Sequence, residues 1–131
     1  MAITRKFYNK EQLKQLDLGM ADYLDITYYA NKKLNWRQME QLRLGMMDKI
    51  DISLYNNVKI NWRQMHEIKM GLIKKVNTSI YSDYEKYSAS QMKQLRLGLE
   101  DKLDVTRYWD PKISGKEMLR KRIKLQHTGE C

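Results

Sequence analysis

The chain has 131 residues, 42% of them apolar and 31% charged, with six Gly, one Pro and one Cys. That length and composition suit one helical domain with a sizeable core and short connections, and the lone, terminal Cys131 excludes a disulfide framework or a cysteine metal site. No apolar run approaches about 18 residues and the start lacks a signal-peptide hydrophobic region, so the reading is cytoplasmic with no membrane span, while a net charge of +9 attracts nucleic acid or other anionic partners.

In chain order, residues 1–8 read as a loose lead-in. The sentence Leu13-Lys-Gln-Leu-Asp-Leu-Gly19 then returns as Met39 to Gly45, Met65 to Gly71 and Met92 to Gly98. The glycines stand 26, 26 and 27 residues apart. A fixed period of this size signals an array of supersecondary units, each too small to bury its apolar face alone. The repeats predict an all-α fold of tandem helix–turn–short-helix units over 9–34, 35–60, 61–87 and 88–113, closed by a basic helix over 114–126. The array is solenoid-like or a compact helical bundle.

Each unit opens on a capping-box pattern. Asn9…Gln12, Asn35…Gln38, Asn61…Gln64, Ser88…Gln91 and Ser114…Glu117 place an accepting side chain three residues before a Gln or Glu that can reach back. Trp36, Met39, Leu42, Met46 and Ile50 keep a helical period, and Leu44 and Met47 widen the stripe enough for neighbours on two sides. A helical glycine costs about 1 kcal/mol relative to Ala, so its recurrence predicts close approach by a backbone or an aromatic ring, the alternative being a helix end.

The second element of each unit starts on Asp25, Asp51, Asn77 or Asp104 and reaches a Tyr four residues later. An Asx cap followed by one or two helical turns accounts for this, with a short β-strand as the alternative. The third unit departs most, since the stretch Tyr81 to Tyr87 is one residue longer than its counterparts. Residues 127–131 read as a loose tail.

No catalytic, cofactor-binding or metal-binding motif is present, and the reading is of a protein that is not an enzyme and needs no cofactor. His66 stands where the previous unit has Glu40 and reads as a solvated surface residue. Asp25, Asp51 and Asp104 are explained as caps.

Three columns can carry binding. Arg43, Lys69 and Arg96 lie two residues before the glycine, and Lys49, Lys75 and Lys102 lie four after it. In a stacked array each column is a ladder with steps of about 10 Å, able to follow phosphates or simply to be solvated. The C-terminal stretch adds Lys112, Lys116, Arg120, Lys121, Arg122 and Lys124 against Glu117 alone. The third column is aromatic: Tyr29, Tyr55, Tyr81 and Tyr108, joined by Trp36, Trp62 and Trp109. Aromatics interleaved with Arg can stack on exposed bases, but a repeated aromatic at a fixed place reads as core between units, with Trp36 and Trp62 as staples onto the neighbouring unit.

The string Gln91 to Pro111, with its Leu-Arg-Leu-Gly-Leu-Glu-Asp core, resembles a short repeat found in Firmicutes phage, plasmid and integrative-element proteins, sometimes beside antirestriction-type domains. The resemblance covers residues 9 to 113 and implies a mobile-element accessory protein. It brings no ligand residues with it. It points to a protein that blocks a host defence nuclease, of restriction or CRISPR type, by binding the nuclease or its nucleic-acid complex in the bacterial cytoplasm. Direct DNA or RNA binding and homo-oligomerisation through exposed array ends are the alternatives.

Overall fold

The computed structural model describes residues 4–129. Over those residues the chain is all-helical. Five α-helices, α1 (Lys10–Ala21), α2 (Trp36–Met47), α3 (Trp62–Ile73), α4 (Ala89–Glu100) and α5 (Gly115–Thr128), alternate with single 3₁₀ turns at Ile26–Tyr28, Ile52–Leu54, Thr78–Ile80 and Val105–Arg107. A further turn, Arg5–Phe7, precedes α1. The second element of each unit is thus helical but only three residues long. Cys131 lies outside the described residues. The chain clusters into two compact units, Met1–Met65 and His66–Cys131, with the division inside α3.

The helix starts follow from their caps. Asn9, Asn35 and Ser88 exchange both capping-box bonds with Gln12, Gln38 and Gln91, and Asn61 and Gln64 do the same at 2.9 and 3.2 Å. Ser114 accepts from the Glu117 N–H at 3.1 Å, while the Glu117 carboxylate takes Arg120 at 3.2 Å. The buried glutamines also close their units. Gln12 Nε2 donates to the carbonyls of Lys32 and Leu34 (3.2 and 2.7 Å), and Gln38 Nε2 to those of Val58 and Ile60 (3.1 and 2.7 Å). In the second unit Gln91 Nε2 repeats this on Pro111 and Ile113 (2.9 and 2.7 Å). One side chain therefore caps its own helix and ties down the strand of backbone leading into the next.

The helix ends follow from the glycine and the residue four after it. Tyr23, Lys49, Lys75 and Lys102 adopt φ of 61°, 58°, 60° and 59°, the left-handed conformation that ends a helix in a Schellman motif. The glycine carbonyl accepts the defining bond from Leu24, Ile50, Val76 and Leu103 in turn, at 2.9 to 3.1 Å. Ile50, expected on the helical stripe, consequently lies beyond the end of α2.

The glycines are required by tyrosine. A Cβ on Gly19, Gly45, Gly71 or Gly98 would stand 1.9 to 2.0 Å from the hydroxyl of Tyr29, Tyr55, Tyr81 or Tyr108. Each hydroxyl passes over the glycine to donate to the carbonyl of Gln15, Gln41, Glu67 or Gln94, at 2.7 to 2.8 Å. The tyrosines are core, as expected, but the contact lies within a repeat and folds the 3₁₀ turn back onto its own helix.

In the first unit the buried core includes Leu16, Ile26, Leu34, Met39 and Leu42 together with Tyr29 and Tyr55. In the second, Ile68, Met92, Leu95 and Met118 are buried, as are Tyr81 and Tyr108. The extra residue before α4 is absorbed by a turn in which the Asp83 carbonyl accepts from both Lys86 and Tyr87. Tyr87 is buried and donates to the Trp109 carbonyl at 2.5 Å. Gly115 lets α5 start against α4, because a Cβ there would stand 2.4 Å from Ser90 Oγ. The ends are more ordered than the sequence suggests. Arg5 pairs with Asp17 at 2.9 Å, and α5 runs through His127 and Thr128 to a left-handed Gly129.

Candidate anionic-partner interface

The three cations before the glycine do not form a solvent-facing ladder. Arg43 donates from Nε to Gln15 Oε1 at 2.9 Å. Arg96 is buried, bound to Glu67 at 3.0 Å and to Glu100. Lys69 is buried as well. Arg122, half-buried in α5, repeats the Arg43 geometry by donating to Gln94 Oε1 at 2.9 Å. Arg43, Arg96 and Arg122 thus each join a helix to the one before it. Burial opposes the Arg96 charge, but Glu67 and Glu100 outweigh it and hold its pKa above the ordinary value.

The column after the glycine behaves in the opposite way. Lys49, Lys75 and Lys102 are exposed, because the left-handed C′ position turns each side chain out beyond the helix end. A non-glycine residue in that conformation costs roughly 1 kcal/mol relative to Gly. Attraction of an ammonium to the helix C-terminus offsets part of this. In the second unit Lys75 and Lys102 come together with Lys74 around a recess of about 450 Å³ that Val76, Asn77 and Leu99 also line. The Glu100 carboxylate at its edge is engaged by Arg96. In the first unit Lys49 borders a separate recess of about 340 Å³ with Tyr28, Met46 and Asn56.

On α5, Lys116 and Lys124 are exposed and so is Lys112 just before it. Arg120, also exposed, pairs with Glu117. Lys121 is half-buried and lines a recess of about 560 Å³ with Lys86, Arg107 and Trp109. The exposed cations of the candidate interface are thus mainly lysines, while Arg43, Arg96 and Arg122 serve the fold. Lys74 was not singled out in the sequence; its signal is the Lys74-Lys75 doublet at a helix end.

His66 is half-buried, not solvated. Burial is the main cause that lowers its pKa, helped by Lys69, Arg96 and Lys93 and opposed by Glu67. Among the described residues no group of three or more His, Cys, Asp or Glu is placed to hold a metal ion, and no helix is long and apolar enough to cross a membrane. Comparison of the chain with protein-family models, with curated protein sequences and with solved structures finds no match.

Proposed function

We propose that the chain is a non-enzymatic binding protein of a mobile element that docks through its lysine-bearing helix ends on an anionic surface. In the bacterial cytoplasm that surface belongs to a host defence nuclease carrying its nucleic acid, and docking blocks cutting. The observation that carries this reading is the recess of Lys74, Lys75 and Lys102, where two lysines occupy a conformation that glycine adopts without strain. Fold stability alone favours glycine there, so the side chains have another use.

Electrostatics narrow the target. A protein of net charge +9 is repelled by the bare basic groove of a nuclease. The contact therefore falls on an acidic surface or on bound nucleic acid, and association is fastest at low salt.

The test is a panel of restriction and guide-loaded CRISPR nucleases. One of them should form a stable complex with the protein that survives gel filtration, and inhibition should saturate near equimolar protein. Lys74→Gln with Lys75→Gly and Lys102→Gly should abolish the complex without lowering the melting temperature, since glycine adopts the left-handed conformation without strain. Normal cutting by every nuclease in a large excess of the protein overturns the reading.

A further inference from the structure

The first unit carries an arginine–tryptophan stack that neither the fold nor the lysine ends account for. The N-terminal turns of α2 and α3 both read Trp-Arg-Gln, and the guanidinium of Arg37 lies 5.1 Å from the ring centre of Trp36 and 5.1 Å from that of Trp62. Arg63 lies 5.2 Å from the same Trp62 ring. Trp36 and Trp62 are half-buried, and Arg37 and Arg63 are exposed. Neither guanidinium makes a hydrogen bond or an ion pair among the described residues. Glu40, one turn on from Arg37, leaves it unpaired.

The repeat does not need this stack. The positions of Trp36 and Arg37 are Lys10 and Glu11 in α1, Ala89 and Ser90 in α4, and Gly115 and Lys116 in α5. Each of those helices forms with its N-cap satisfied. Two of five helix starts thus carry a pair that helix formation does not demand.

We infer that Arg37 and Arg63, held over Trp36 and Trp62, grip successive backbone phosphates of a nucleic-acid duplex. The rings hold each guanidinium in place while its N–H groups stay free of protein partners, which suits bidentate contact with an oxyanion. With cations over the rings, the indoles offer no open platform to bases, so the contact is to the backbone and not to unstacked bases. The two guanidiniums sit 5.1 and 5.2 Å from the centre of the Trp62 ring, so they are no more than about 10 Å apart and call for two anions at close spacing. A duplex supplies one charge about every 3.4 Å along each strand, in any register, whereas a protein surface must place two carboxylates deliberately. Lys33 and Lys59, exposed two residues before the caps Asn35 and Asn61, add positive charge leading into the same helix starts. The inference rests on the docking reading only for which complex presents the duplex; the site itself is tested on DNA alone.

The experiment is fluorescence anisotropy of the full chain on a labelled 16-base-pair duplex across a salt series. Arg37→Ala with Arg63→Ala should lower the log–log salt slope by about 1.8 and weaken binding at low salt by roughly a hundredfold. Lys10→Ala with Lys14→Ala removes the same charge from exposed positions of α1 outside the stack, and should change the slope by less than half as much. Arg37→Lys keeps the charge but loses the fork, so it should weaken binding while leaving the slope unchanged. Equal effects of the two double variants, or failure of the unaltered protein to bind the duplex at low salt, overturn the inference. So does loss of binding to poly-glutamate, and not to DNA, in the arginine double variant. Nuclease inhibition can survive each of those results, which keeps the two readings separable.

Discussion

At the scale of single residues, the glycine and the tyrosine of a repeat are one device. Tyr55 reaches the Gln41 carbonyl only because Gly45 leaves the space for its hydroxyl, which is 2.0 Å from where a Cβ would stand. Gly45→Ala should therefore push Tyr55 off its bond and cost about 1–3 kcal/mol, the range for overpacking a core. Tyr55→Phe should cost about 1 kcal/mol for the lost hydrogen bond. The double variant should be less destabilised than the two losses added, since phenylalanine removes the atom the new methyl meets first. Urea unfolding of the four proteins checks this, and strict additivity would show that the hydroxyl does not set the glycine. The pairing was half legible. Recurrence of glycine inside a helix announced a close approach, but nothing local ties it to the tyrosine ten residues on, whose own recurrence reads equally well as packing between repeats.

At the scale of elements, helices are joined by an arginine reaching back to the preceding helix. Arg43 meets Gln15, Arg96 meets Glu67 and Arg122 meets Gln94. The repeats serve as each other's controls. Glu67→Gln should be mild, below about 1 kcal/mol, because the same geometry already runs on glutamine at two other joints and Arg96 retains Glu100. Arg96→Ala should cost about 3–5 kcal/mol, because it strands the buried Glu67 carboxylate. Equilibrium unfolding in urea separates the two, and equal losses would mean that the charge of Glu67 is immaterial. Much at this scale could be read from the chain. Every long helix was announced by its cap, since Asn9…Gln12 and its successors act through bonds spanning three residues. The role of the arginines was not, because a cation on a helix looks the same in sequence whether its partner is water or a glutamine 28 residues away. The helix ends were hidden for another reason. Left-handed caps are usually marked by glycine, and here lysine or tyrosine takes that place.

At the scale of the whole molecule, repetition turns a local group into a titration of the entire fold. Burial pushes the Tyr29 hydroxyl up to about 12 and raises Tyr55, Tyr81 and Tyr87 as well. In the unfolded chain a tyrosine titrates near about 10. The folded form therefore holds these protons more tightly, so their stabilisation is complete below about pH 10 and is lost as pH rises through the folded values. A fall in net positive charge at high pH relieves self-repulsion in a protein of net charge +9 and acts in the opposite direction. A melting temperature that falls steeply above about pH 10 would thus isolate the tyrosines. Tyrosinate absorbance from these buried hydroxyls should rise in a late phase coincident with loss of helical circular dichroism. A single early phase with the helices intact would mean that the hydroxyls do not need their carbonyl partners to keep the 3₁₀ turns closed.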